Sequence, residues 1–128
     1  MKTAVIMNRT LLGEDVRQNS QDKMFNANDM HQVGNAHRQE NKLSKKQLAS
    51  YFNLDATQEL INAICLEENI SIDQVKKSKK GKFGGTWVHP VLFVDLAMWY
   101  SPGLRVKIIN WVLDGLLEAR NESGESFK

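Results

Sequence analysis

The sequence predicts an α+β fold, with short strands and helices mixed along one domain. Three observations carry this. Ala4-Val5-Ile6-Met7 and Val16 to Asn19 are short strand-like segments flanking a turn at Gly13-Glu14-Asp15. Apolar residues recur at helical spacing over Leu60 to Cys65 and again over Leu104 to Leu117. Between them, two strand-like runs flank a lysine-rich segment followed by Gly81, Gly84 and Gly85, the pattern of a β-hairpin.

The elements follow in order. Asn19-Ser20-Gln21-Asp22 is a polar turn. Asn26-Ala27-Asn28-Asp29 supplies good caps, so a helix starts near Asn28, and Gly34-Asn35-Ala36 breaks it. Ser44-Lys45-Lys46-Gln47 has the Ser-x-x-Gln form of a capping box and opens the next helix, with Leu48 and Phe52 at helical spacing. Asn53-Leu54-Asp55 is a tight connection, with Asp55 as cap of a further helix. The stripe of that helix is Leu60, Ile61, Ile64 and Cys65, which leaves Thr57, Gln58 and Asn62 on another face. Two helices so joined have the spacing of a helix-turn-helix, and equally of any helical hairpin.

Ile70 to Val75 alternates as a strand should and forms one arm of the β-hairpin, the lysines its tip, and Phe83 to Val88 the second arm. His89-Pro90 ends that arm, because Pro donates nothing to a ladder. Val91 to Trp99 is apolar on nearly all sides and reads as a buried helix, with Asp95 bonded to a backbone group or to Trp. Ser101-Pro102 is a helix start, serine as cap and proline in the first turn. The stripe Leu104, Ile108, Ile109, Val112, Leu113, Leu116, Leu117 makes the last helix amphipathic. Residues 1–117 form the domain, and 118–128 a flexible tail.

Composition bounds the class. A chain of 128 residues, 41% hydrophobic, can bury a core as one domain without staples. The one cysteine, Cys65, excludes an internal disulfide; within an apolar run it reads as a small buried hydrophobe ahead of a reactive thiol. That favours a reducing compartment, the cytoplasm. No stretch approaches the roughly 18 apolar residues of a membrane span. Net charge is only +2, but Lys76, Lys77, Lys79, Lys80 and Lys82 crowd one segment, Arg38, Lys42, Lys45 and Lys46 another, and acids gather near the carboxyl end.

The hairpin lysines are the best functional candidates. Clustered ammonium groups repel one another, which a solvated turn tolerates, and which a phosphate backbone relieves by displaced counterions. Gly81, Gly84 and Gly85 would let the backbone lie close to a nucleic-acid groove. Gln58 and Asn62, four residues apart, share a helical face and are side-chain types that pair with adenine in the major groove; the plain alternative is a solvated face. Their helix carries Glu59, Glu67 and Glu68 and no basic residue, so Lys45 and Lys46 would supply its positive charge. Catalytic patterns are missing: Gly81-Lys82-Phe83 is not a P-loop, and no HExxH, CxxC or nucleophile elbow occurs. His31 and His37 lack the partners of a metal site. The reading is no enzyme, no cofactor and no metal.

Gly84-Gly85-Thr86-Trp87-Val88-His89-Pro90, followed by Val94-Asp95-Leu96-Ala97-Met98-Trp99, Ser101-Pro102 and Trp111, resembles the core of the KilA-N domains of bacteriophages and large DNA viruses. Phe25-Asn26-Ala27-Asn28-Asp29 and Thr57-Gln58-Glu59-Leu60-Ile61 resemble upstream family segments, with Asn28 where the family has Thr. The resemblance implies a small antiparallel sheet with packed helix pairs, winged helix-turn-helix-like and akin to the APSES domains of fungal regulators. It implies that residues 76–85 form a wing on double-stranded DNA, with Thr57, Gln58 and Asn62 offered to the major groove. Trp87, His89, Trp99 and Trp111 are then core and scaffold. The implied function is a phage or prophage regulator in the host cytoplasm. A homodimer through the Leu104 to Leu117 helix is a further expectation, and a module that inhibits or redirects a host protein is the competing one.

Overall fold

The computed structural model describes residues 6–11, 13–81 and 84–122. The fold is α+β, with one five-stranded antiparallel sheet. The elements are β1 (Ile6–Leu11), β2 (Glu14–Asn19), β3 (Phe25–Asn26), α1 (Ala27–Glu40), α2 (Leu48–Phe52), α3 (Asp55–Glu68), a 3-10 turn (Ile72–Gln74), β4 (Lys76–Lys79), β5 (Gly85–Val88), α4 (Pro90–Trp99) and α5 (Pro102–Glu122). The sheet order is β1-β2-β3-β5-β4. Two-residue β3 is its hinge, Phe25 opposite Gln18 on one side and Val88 on the other. Residues 4, 5, 82, 83 and 123–128, which carry parts of the expected first strand, hairpin and tail, lie outside the described residues.

Alternation sorts the sheet's two faces. Val16, Phe25 and Val88 share the face that meets the helices, where Phe25 stacks on Phe93 of α4 with ring centroids 4.2 Å apart. The core continues through Met30, Tyr51, Ile61, Ile64, Leu96 and Tyr100. Asn19 closes the predicted polar turn: its Oδ1 accepts from the amides of Gln21 and Asp22. Glu14 and Asp15 belong to β2 rather than to the turn before it, which falls to Gly13 at φ +83°.

Four sequence expectations need correction. Helix α1 does not break at Gly34; it runs on to Glu40. Gly34 is there for packing, since a Cβ would clash with the carbons of the Tyr100 ring. The Ser44-x-x-Gln47 box does not form, and α2 begins only at Leu48 with Gln47 as an unbonded cap. The intervening chain is held by α1 instead: Arg38 donates to the Ser44 carbonyl, and the Asn35 amide makes two bonds to the Lys46 backbone, at 2.9 and 3.0 Å. The same motif does form at Ser71-Ile72-Asp73-Gln74, where strand was expected; there it opens the 3-10 turn, the Gln74 side chain accepting from the Ser71 amide. Finally, Leu54 caps α3 and Asp55 is its first residue, where a carboxylate suits the positive end of the helix dipole.

The later elements follow expectation in order and type, but α5 runs on to Glu122, into the stretch expected as a tail from residue 118. His89 and Pro90 end β5 and open α4, and Ser101 Oγ accepts from the Leu104 amide as the cap of α5. Asp95 accepts a 2.6 Å bond from the Tyr51 hydroxyl, a partner not foreseen. The stripe of α5 is only half used: Leu104 and Ile108 are buried, whereas Ile109, Val112 and Leu113 are 45%, 42% and 50% exposed. The side chains of Leu116 and Leu117 lie outside what is described.

Candidate nucleic-acid interface

The lysine run is the strand β4 itself, not a tip beyond it. Lys76, Lys77, Ser78 and Lys79 pair with Val88, Trp87, Thr86 and Gly85. Lysine is a poor strand former, so partners must hold it there. Alternation gives each lysine a different fate. Lys76 stands on the helix side of the sheet, its Nζ 4.3 Å from the centre of the Phe52 ring. Lys77 and Lys79 stand on the other side with Trp87. Lys79 Nζ lies 5.7 Å from the Trp87 ring centre, and the Arg17 guanidinium 5.9 Å from it. Trp87 is buried although it lies outside the main core cluster, so these stems form its cover. Arg17 is fixed by a paired bond to Asp29, which holds its pKa above the ordinary value. Lys77 and Lys80 are exposed and make no ion pair with a described residue. Lys82 lies outside the described residues.

The hairpin is anchored to the start of α1. Asn26 caps α1 by accepting from the Asp29 amide, and its own amide donates to the Gly84 carbonyl. Asn28 accepts from the Thr86 amide at 2.8 Å. The two glycines are needed for this clasp. Gly85 has φ +115°, and a Cβ there would lie 2.7 Å from Asn28 Oδ1. A Cβ on Gly84 would lie 2.8 Å from the Gly81 carbonyl oxygen. The space above Gly84 and Gly85 is therefore taken by the chain's own atoms, where sequence reasoning left it for a nucleic-acid groove. The Asn-Ala-Asn-Asp signal was visible in the sequence; its role as the clasp was not, because its partners lie about sixty positions away.

The helix pair divides the other expected residues. Thr57 is buried, so it is not on an open face. Burial and the bond to Asp95 both raise the Tyr51 pKa. Gln58 and Asn62 are exposed, and Gln58 donates its amide to the Phe52 carbonyl at 2.7 Å. Phe52 therefore links Gln58 to Lys76, and α3 to the hairpin.

Lys45 is exposed; Lys46 is committed elsewhere. Lys46 Nζ donates to the Trp99 carbonyl at 2.8 Å and sits 4.4 Å from the centre of the Trp99 ring. Arg38 donates to the next carbonyl, that of Tyr100. Both cations thus satisfy carbonyls at the carboxyl end of α4, where the helix dipole favours them. Burial, then the nearby charges of Arg38 and Arg105, lower the Lys46 pKa.

The expected scaffold residues split as well. Trp87 is buried and Trp99 half-buried. His89 Nδ1 accepts from the Val91 amide, so its Nε2 carries the proton and donates to Glu68 at 2.8 Å. Trp111 is the correction: it is 37% exposed, on a part of α5 beyond the core.

Among the described residues no group of His, Cys, Asp or Glu side chains could hold a metal ion, and no helix is long and apolar enough to cross a membrane. An anchored basic hairpin beside a short helix pair defines a small binding domain suited to a polyanion. Residues 13–115 match the KilA-N domain, and the chain belongs to that family. KilA-N domains are DNA-binding domains and not an enzyme family, which supports a DNA-binding role here. Comparison with curated proteins and with solved structures gives no match.

Proposed function

We propose that this chain binds double-stranded DNA as a phage or prophage regulator, with the β4–β5 hairpin as a wing and α2–α3 as a helix-turn-helix-like pair. The observation that carries the reading is the pairing of exposed charge with a fixed backbone. Lys77 and Lys80 are open to solvent on a hairpin that Asn26 and Asn28 clasp to α1. A backbone held in place leaves only side-chain freedom to be lost on meeting phosphates, and counterion release does the rest. Lys76 on the helix side and Lys79 on the other side add charge to the two faces of the edge strand β4, their stems packed on Phe52 and Trp87.

Such contacts give affinity and orientation, not base choice. For base edges α3 offers Asn62 freely. Gln58 would have to surrender its bond to the Phe52 carbonyl before its amide could pair with adenine.

The test is anisotropy of a labelled mixed-sequence duplex over a series of salt concentrations. With four hairpin lysines engaged, log affinity falls against log salt with a slope of about −4. Replacing Lys77 and Lys80 together by Ala reduces that slope by about two units. A slope near zero, or one the double variant leaves unchanged, overturns the wing assignment. Absence of duplex binding at low salt gives the hairpin to an acidic protein partner instead.

A further inference from the structure

The groove between α3 and α5 has α4 as its floor. One end is lined by Leu54, Ala56, Met98, Arg105 and Ile109, in a volume of 420 Å³. Past the shared Asp95 and Met98 it continues between Leu60, Val91, Val94 and Val112, with a volume of 430 Å³. Val91, Ile109 and Val112 are exposed there, and Leu113 follows on the same side of α5. Residues 109–115 of α5 are all exposed. This run lies past Ile108, the last buried residue of α5 among those described, and helices in proteins draw most of their stability from packing of an apolar face. Apolar surface that is contiguous rather than scattered marks a contact site.

The charges beside the groove limit the occupant. Glu59 and Glu67 stand on the α3 wall, three residues after Ala56 and seven after Leu60, and α3 carries no basic residue. An acidic wall over an apolar floor fits an amphipathic helix with basic residues, laid in as helix-in-groove recognition requires. The chain itself holds one: α5 carries exposed Ile109, Val112 and Leu113 on the side that bears Arg105, with Lys107 and Asp114 on the far side.

We infer that the occupant is α5 of a second copy of this chain. Each copy offers both a groove and a helix, so a two-fold axis beside α5 satisfies both at once and closes the assembly as a dimer. The sequence placed a dimer surface on the whole Leu104 to Leu117 stripe; the burial of Leu104 and Ile108 confines it to the outer side of α5 and adds the α3–α4 groove. This inference does not depend on what the hairpin binds.

Sedimentation equilibrium of the full chain over a range of concentrations tests it. The wild-type chain is expected to show a monomer–dimer equilibrium. Ile109→Glu on the helix and Val91→Asp on the groove floor each make it monomeric, with the helical circular dichroism unchanged because both sites are exposed. Glu67→Gln, which removes one rim charge, weakens the dimer by about two- to five-fold. A wild-type chain that stays monomeric at the highest concentration overturns the inference, and so does a dimer that survives both Ile109→Glu and Val91→Asp.

Discussion

The β4–β5 hairpin and the α3–α5 groove are opposite solutions to the same problem, a poorly covered surface. The hairpin is basic, and its stability comes from inside the chain: two asparagines from the start of α1 take its backbone, and Trp87 lies beneath Lys79 and Arg17. The groove is apolar with an acidic wall, and the exposed ends of Ile109, Val112 and Leu113 have no such cover. The hairpin is thus a finished device with free charge at its surface, whereas the groove lacks its second half. α3 lies between them, tied to the hairpin through Gln58 and Phe52 and facing the groove with Ala56 and Leu60. As the proposed wing, the first surface would attract duplex DNA; the acids of the second would repel it.

The sharpest way to break the hairpin is Gly85→Ala. It forces a side chain onto φ +115° and drives its Cβ toward Asn28, so the clasp opens. The expected cost is about 1–3 kcal/mol, read by urea denaturation of the variant and the wild-type chain. A loss under 0.5 kcal/mol, near the noise of a surface change, would mean that the clasp contributes nothing.

The next prediction separates structural lysines from binding lysines. Lys46→Ala removes a charged bond and a cation from the carboxyl end of α4, and lowers stability by about 1 kcal/mol. It leaves the salt slope of DNA binding unchanged. Lys77→Ala does the reverse, reducing the slope by about one unit with stability held. Equal effects of the two on DNA binding would return Lys46 to the interface.

These contrasts also mark how far the sequence could be read. Composition, caps and periodicity located α3, α4, the start of α5 and the glycine hairpin, because those signals are local. Lys46 was read as free because its partner is distant, Trp99 lying 53 residues beyond it; Thr57 was placed on the open face by helical spacing alone, whereas the packed chain buries it. Gly34 looked like a helix breaker because the Tyr100 ring that requires it comes from α4's far end. The two Ser-x-x-Gln motifs are alike in sequence, and only the competition from Asn35 and Arg38 for the Ser44 to Lys46 backbone decides which one folds as a cap. The family motif, by contrast, was specific enough to be read outright.

A pH series adds a smaller effect, away from both surfaces. The Asn35 amide is oriented by its two bonds to Lys46, so its NH2 group faces His31 Nε2. His31 is then the neutral tautomer, with Nδ1–H donating to the Tyr100 hydroxyl at 2.9 Å. Burial, then the charge of Lys45, lowers its pKa. The unfolded chain therefore takes up a proton at this residue before the folded one. The stabilisation is complete above about pH 6.5 and is lost as the pH falls through the lowered value. Denaturation between neutral and mildly acid pH should show that decline in the wild-type chain and a flatter profile in His31→Gln. Parallel profiles would place the acid sensitivity elsewhere.

The smallest expected effect decides what the groove is. Val112 lines it and is 42% exposed, so at a concentration where the chain is monomeric Val112→Ser should change stability by no more than about 0.5 kcal/mol. Dimerisation changes that result in one direction only. Binding that acts on the folded state alone makes stability rise with protein concentration, and the serine variant should lose that rise while matching the wild-type chain when dilute. A large loss already present in the dilute sample would mean that Val112 is covered within one chain. Equal stability at every concentration would mean that nothing of this chain's own making fills the groove. The hairpin carries no such dependence, since its clasp is intramolecular, and Gly85→Ala should cost the same at any concentration.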